Sequence, residues 1–163
     1  DDVIKKVLDK FSCLPGRMEF VKTARGVEFI NDTTATNPTA SRQAVIAAKK
    51  RIGRHGLYVI AGGYDKGLPV GGFAKALRKY AAAVVFLPGI ASDKMAKELK
   101  NLKPKKLKIF RAPTMPEAVR MTRKIAKSGD AVLLSPGAAS FGLFRHEFER
   151  GEAFKKAVEA KPL

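Results

Sequence analysis

Four short apolar runs constrain this chain more than anything else in it: LYVIAGG (57–63), AAVVFLPG (82–89), KLKIFRA (106–112) and DAVLLSPG (130–137). They are too short for helices and lack polar alternation. Each ends on Gly, Pro or a small residue, as strands buried on both faces of a sheet do. Between them VGGFAKALRKY (70–80), SDKMAKELKNL (92–102) and MPEAVRMTRKIAKSG (115–129) have helical periodicity, the last with Ala118, Met121, Thr122 and Ile125 on one face. Strand and helix in alternation dictate an α/β fold with a mostly parallel sheet and helices on both faces.

The flanks complete the pattern. RMEFVKTARGVEFIND (17–32) reads as two strands about a turn near Ala24-Arg25-Gly26, an N-terminal β-hairpin. NPTASRQAVIAAKKR (37–51) opens with Asn37 as N-cap and Pro38 at the first helical position. FGLFRHEFERGEAFKKAVEA (141–160) reads as a helix beginning near Ser140, interrupted at Gly151, with Phe141, Phe144 and Phe148 as a core stripe. With 163 residues and 45% apolar composition, the expectation is a single Rossmann-like domain over residues 1–163.

Lys and Arg number 32 against 15 Asp and Glu, a net charge of +17. Such a balance raises a basic binding module for nucleic acid or another polyanion as an alternative function. Against it, the basic residues are scattered over apparent helix faces, and no RNP-type aromatic motif or zinc-finger spacing accompanies them. Cys13 has no partner for a disulfide, and no run of about 18 apolar residues or signal-peptide core is present, so the chain reads as soluble and cytoplasmic, with no membrane partner and as a monomer. His55 and His146 lack companions at ligand spacing, so no metal site is expected. The first residue, Asp1, reads as the start of an excised fragment or of a processed chain.

In an open α/β sheet, ligands gather at the carboxyl ends of the strands. Three loops there carry unusual chemistry. NDTTATNPTAS (31–41) packs five hydroxyls beside Asp32 and Asn37, although Asn37 is equally explained as a cap. AGGYDKG (61–67) lets backbone approach a ligand at Gly62-Gly63 and then presents Asp65 and Lys66. SPGAASFG (135–142) could cap a helix through Ser140 or offer its hydroxyl to an anion. No G-x-x-x-x-G-K-[ST] loop is present, so an independent triphosphatase is excluded, as is a stand-alone dinucleotide binder of the G-x-G-x-x-G type.

Four motifs in order, LPGRMEF (14–20), INDTTATNPTAS (30–41), GGYDKG (62–67) and LLSPGAASFGLFRHEFERGEAF (133–154), resemble the C-terminal domain of the Mur ligases over nearly the whole chain. The resemblance is greatest to the type that joins D-glutamate to UDP-N-acetylmuramoyl-L-alanine. It implies one part of an ATP- and Mg2+-dependent, amide-forming ligase of peptidoglycan precursor synthesis. The UDP-sugar-binding and central ATPase domains would lie outside this chain, which alone would be inactive and would hold no cofactor by itself. Position by position, the resemblance makes Thr36, Lys66, Ser140, Phe148 and Thr34 contacts for D-glutamate. Arg17 would reach nucleotide phosphates and Asp32 the ribose, with Asn37 beside them. It places no catalytic residue within this domain. Gly16, Thr34 and Gly142 depart from the family pattern, which commonly has His, Lys and Asp there.

Overall fold

The computed structural model describes residues 14–103 and 106–160. Cys13 lies outside the described residues. The hairpin forms as expected, β1 (Glu19–Ala24) pairing antiparallel with β2 (Val27–Asn31) around Arg25 and Gly26, both at positive φ. Then follow α1 (Pro38–Ile52), β3 (Leu57–Ala61), α2 (Gly71–Tyr80), β4 (Ala83–Phe86), α3 (Ile90–Asn101), β5 (Lys108–Arg111), α4 (Met115–Ile125), β6 (Ala131–Leu134) and α5 (Glu147–Glu159).

The six strands make one Rossmann-like sheet in the order β1-β2-β6-β3-β4-β5, parallel from β2 onward. Alternate residues of β2, β3, β4 and β6 feed two cores. Val59, Leu133, Val84 and Ile30 face α1, α2 and α3, while Ile60, Val132, Val85 and Phe29 face α4 and α5. Three helices therefore cover one face and two the other, because the chain moves outward through β4 and β5 and then crosses over to insert β6 between β2 and β3.

Local chemistry sets the helix ends. Asn37 accepts the Ala40 N–H at 2.8 Å with Pro38 just inside, and Lys49, Lys50 and Arg51 sit at the negative end of the α1 dipole. Ser41, Ala44, Val45 and Ala48, at helical spacing, are its buried face. KLKIFRA differs from the expected buried strand. At the sheet edge, Lys108 and Arg111 of β5 are exposed and Ile109 and Phe110 only half-buried, and such charges hinder edge pairing with another chain.

The C-terminal stretch differs more. Ser140 starts a single turn, its carbonyl accepting the Leu143 and Phe144 N–H groups, and Gly142 at φ 92° stops helical propagation. The helix begins only at Glu147, where His146 Nδ1 accepts the Glu149 N–H at 3.2 Å. Phe141 and Phe148 are 57% and 54% exposed and Phe144 is half-buried, so the three do not form a core stripe. Gly151 does not interrupt α5. A Cβ there would lie 2.8 Å from the Thr33 methyl and 3.0 Å from Asn31 Nδ2, so glycine lets the helix press onto the end of β2.

Candidate functional site

Insertion of β6 between β2 and β3 brings the three unusual loops together at the carboxyl end of the sheet. The loop after β6 is the middle piece, and backbone bonds join it to both neighbours. On the β2 side, Asp32 N–H donates to the Leu134 carbonyl at 2.8 Å and Gly137 N–H to the Ala35 carbonyl at 3.0 Å. On the β3 side, Gly62 N–H donates to the Pro136 carbonyl at 2.8 Å, and Tyr64 and Ala139 exchange bonds of 2.9 and 3.2 Å. The left-handed φ of Gly62 and Gly63, 99° and 139°, lets that loop lie against them.

Two hollows open at this end of the sheet. The larger, about 300 Å3, is lined by Arg17, Met18, Asp32, Thr34, Ala35 and Gln43 among others. The smaller has about 10 Å3, room for one water-sized group, between Thr36, Pro38, Lys66, Gly137 and Ala138. The sequence candidates therefore separate spatially: Arg17, Asp32 and Thr34 share the first hollow, Thr36 and Lys66 the second. Ser140 is buried beside the Tyr64–Ala139 pairing, and exposed Phe148 lies on the first turn of α5 with its ring 6.1 Å from that of His146. Neither lines these two hollows. Asn37 is occupied as the α1 cap.

Asp32 is fixed from two sides. One carboxylate oxygen accepts the Met18 N–H at 3.2 Å and the other the Ser135 hydroxyl at 2.8 Å, with Ser41 Oγ 2.9 Å behind Ser135. Burial pushes its pKa above the ordinary aspartate value, against the opposing effect of those bonds and Arg17. Between the unfolded and folded values, the folded chain binds more protons, so this group's contribution to stability falls as pH rises through that window. Asp32→Asn removes the titration. Urea denaturation is expected to show the wild type losing stability relative to the variant as the pH rises from 3.8 toward neutrality. A difference independent of pH would contradict that environment.

Lys66 is exposed and forms no ion pair among the described residues. The neighbouring acid does not quench it. Asp65 pairs instead with Lys94 and accepts the Gly67 N–H at 3.0 Å, and the Lys94 contact holds its carboxyl below the usual range. Thr34 donates its hydroxyl to the Gly16 carbonyl at 2.8 Å. Two of the departures from the family pattern thus touch one another, and Gly16, at φ 72°, has no room for a Cβ beside the Thr33 and Thr34 methyls.

Sequence reasoning passed over Arg150. Its side chain is 1% exposed and crosses to the loops after β2 and β6, donating to Thr33 Oγ1 (3.1 Å), the Thr33 carbonyl (2.8 Å) and the Ala138 carbonyl (3.0 Å). Burial lowers its pKa to about 10, so it stays charged at neutral pH. The signal was its place inside ERGEAF, the end of the longest motif, though sequence alone does not show that a helix arginine points inward.

Residues 16–138, three-quarters of the chain, match the family model described as Mur ligase, glutamate ligase domain. The chain belongs to the Mur ligase family. Among curated relatives of this Mur ligase domain, UDP-N-acetylmuramoylalanine--D-glutamate ligase of Roseiflexus sp. (strain RS-1) is 40% identical over 159 residues, 98% of the chain and 33% of the relative. The protein of the same name from Caldanaerobacter subterraneus subsp. tengcongensis is also 40% identical, over 96% of the chain and 34% of its own length. The chain thus spans about a third of these relatives. Solved structures share the fold at lower identity. UDP-N-acetylmuramate-alanine ligase MurC of Thermotoga maritima superposes with a TM-score of 0.66 at 18% identity, over 94% of this chain and 32% of that one. MurF ligase of the same organism, in complex with ADP, gives 0.56 at 21%, over 96% and 36%. The helices of this Mur ligase domain include none long and apolar enough to cross a membrane, among the described residues.

Proposed function

We propose that this chain is the amino-acid-binding part of a longer, ATP-dependent D-glutamate ligase. The observation that carries the reading is the meeting of three motif loops along β2, β6 and β3, with an exposed lysine that pairs with no acid among the described residues over one hollow and a positioned aspartate in the other. The names of the curated relatives support D-glutamate as the amino acid.

In this reading, Lys66 supplies a compact cation for a substrate carboxylate and Thr36 a hydroxyl donor at the same hollow, while Ser140 and Phe148, which do not line it, meet only the part of D-glutamate that projects from it. The small hollow seats one polar group, so D-glutamate rests across its mouth with a carboxylate oxygen pointing in. The larger hollow fits part of a nucleotide. Arg17 stands on its rim for phosphate, and Asp32, already fixed by Met18 and Ser135, offers its remaining lone pairs to ribose hydroxyls; Thr34, which the resemblance gave to D-glutamate, lines this hollow instead, and Asn37, engaged as the α1 cap, takes no part. ATP supplies activation of the substrate carboxylate as an acyl phosphate, with Mg2+ held elsewhere in the longer protein. This domain's work is to hold the amino acid so that its amine meets that carbonyl.

The test is phosphate release by the longer protein with ATP, Mg2+ and UDP-N-acetylmuramoyl-L-alanine, comparing D-glutamate with L-glutamate, L-alanine and L-lysine. Turnover dependent on D-glutamate is expected. Equal turnover with L-alanine, or none with D-glutamate, would refute the assignment. The 163-residue chain alone is expected to release no phosphate in the same mixture, because it lacks the P-loop; release would overturn the division of labour.

A further inference from the structure

Arg150 is the largest fully buried side chain among the described residues, and its three donors end on hydroxyl and carbonyl oxygens, not on a carboxylate. Burying a guanidinium in this way is costly, and an apolar side chain of similar volume would fill the space without that cost. The geometry has another consequence. The planar fork spans two loops at once, and each bonded residue adjoins a different hollow. Thr33 lies between Asp32 and Thr34, both on the larger hollow, while Ala138 lines the smaller one. The same Thr33 hydroxyl donates to the Glu147 carbonyl at 2.7 Å, and Gly151 lets α5 approach closely enough for the fork to reach. The first turn of α5, which carries Phe148, is thereby fastened to the same point.

We propose that Arg150 is a positioning residue, a clamp that sets the spacing between the walls of the two hollows and the start of α5. The inference rests on reading those hollows as the nucleotide and amino-acid sites. A lysine cannot replace it, because one ammonium cannot meet the three oxygens in the geometry of a planar fork. Thr33 is the other half of the clamp. Valine there keeps the shape, removes the acceptor for Arg150 Nε, and removes the donor to Glu147.

Two measurements test the clamp on Arg150→Lys and Thr33→Val, with Thr33→Ser as the conservative control. In the 163-residue chain, hydrogen exchange at the Gly137 and Ala139 amides, which bond Ala35 and Tyr64, is expected to accelerate about tenfold or more, with exchange in the sheet at Val132 and Ile60 nearly unchanged. In the longer protein, the KM values for D-glutamate and ATP are expected to rise together by about tenfold, since small misplacements of binding groups are costly. Thr33→Ser should restore both. Uniform acceleration of all amides with unchanged KM values would show a residue that only stabilises the fold, and would overturn the proposal. If Arg150→Lys does not fold, Thr33→Val decides alone. A wild-type protein that uses neither ligand would refute the functional reading, and the exchange pattern would still judge the clamp.

Discussion

Gly63→Ala is expected to destabilise the chain by about 3 kcal/mol, combining backbone strain with a steric clash. Gly63 has φ 139°, a conformation L side chains rarely adopt, and an added Cβ would be forced against the Ala139 carbonyl. That oxygen is backbone and accepts the Tyr64 N–H, so it cannot move without opening the pairing between the β3 and β6 loops. Gly67 provides the contrast. It too has positive φ, 73°, but a Cβ would meet nothing within 4 Å, so Gly67→Ala should cost only the left-handed backbone penalty of about 1 kcal/mol. Urea denaturation of both variants checks this. The Gly63 variant should also melt about 6–12 °C lower, at the 2–4 °C per kcal/mol usual for chains of this size. A cost below that of Gly67→Ala would mean that the loop contact is not as close as described.

The sequence and the structure agree where local chemistry decides. The hairpin at Ala24-Arg25-Gly26, the α1 cap at Asn37, the fully buried strands β4 and β6 and the largely buried β3 all follow from residues within a few positions of each other. Ser140 shows where this fails. A helix was expected to begin there because capping residues and small side chains favour one, yet Gly142 takes a left-handed φ and the His146 and Glu149 pairing makes a better start six residues later. Gly151 was expected to break α5, because propensity counts glycine against a helix. Its reason lies 118 positions away at Thr33, where the helix and loop touch. Arg150 fails to announce itself for the same reason, since all its partners are distant in the chain.

The site was legible in its parts and not in its arrangement. Motif content pointed to the three loops, but nothing local fixes that β6 inserts between β2 and β3, which is what makes them neighbours. Nor does sequence sort the candidates into two hollows, or reveal that Asp65 is engaged by Lys94 and not by its neighbour Lys66. The physical link between Thr34 and Gly16, two positions that depart from the family pattern, likewise appears only in three dimensions.

Lys66→Ala in the longer protein addresses the central claim, that the loop after β3 holds the incoming amino acid. Loss of a charge-assisted hydrogen bond to a carboxylate costs about 1.5–3 kcal/mol, which corresponds to a rise of roughly 10- to 100-fold in the D-glutamate KM. The KM for ATP should stay within about twofold, because Arg17 and Asp32 line a separate hollow. Lys66 is exposed and forms no ion pair among the described residues, so melting temperature should barely change, separating a binding effect from a folding one. The decisive measurement is therefore the pair of KM values, for D-glutamate and for ATP, in wild type and Lys66→Ala. A selective rise for D-glutamate is the predicted result, and an unchanged D-glutamate KM, or an equal rise in both, would contradict the account.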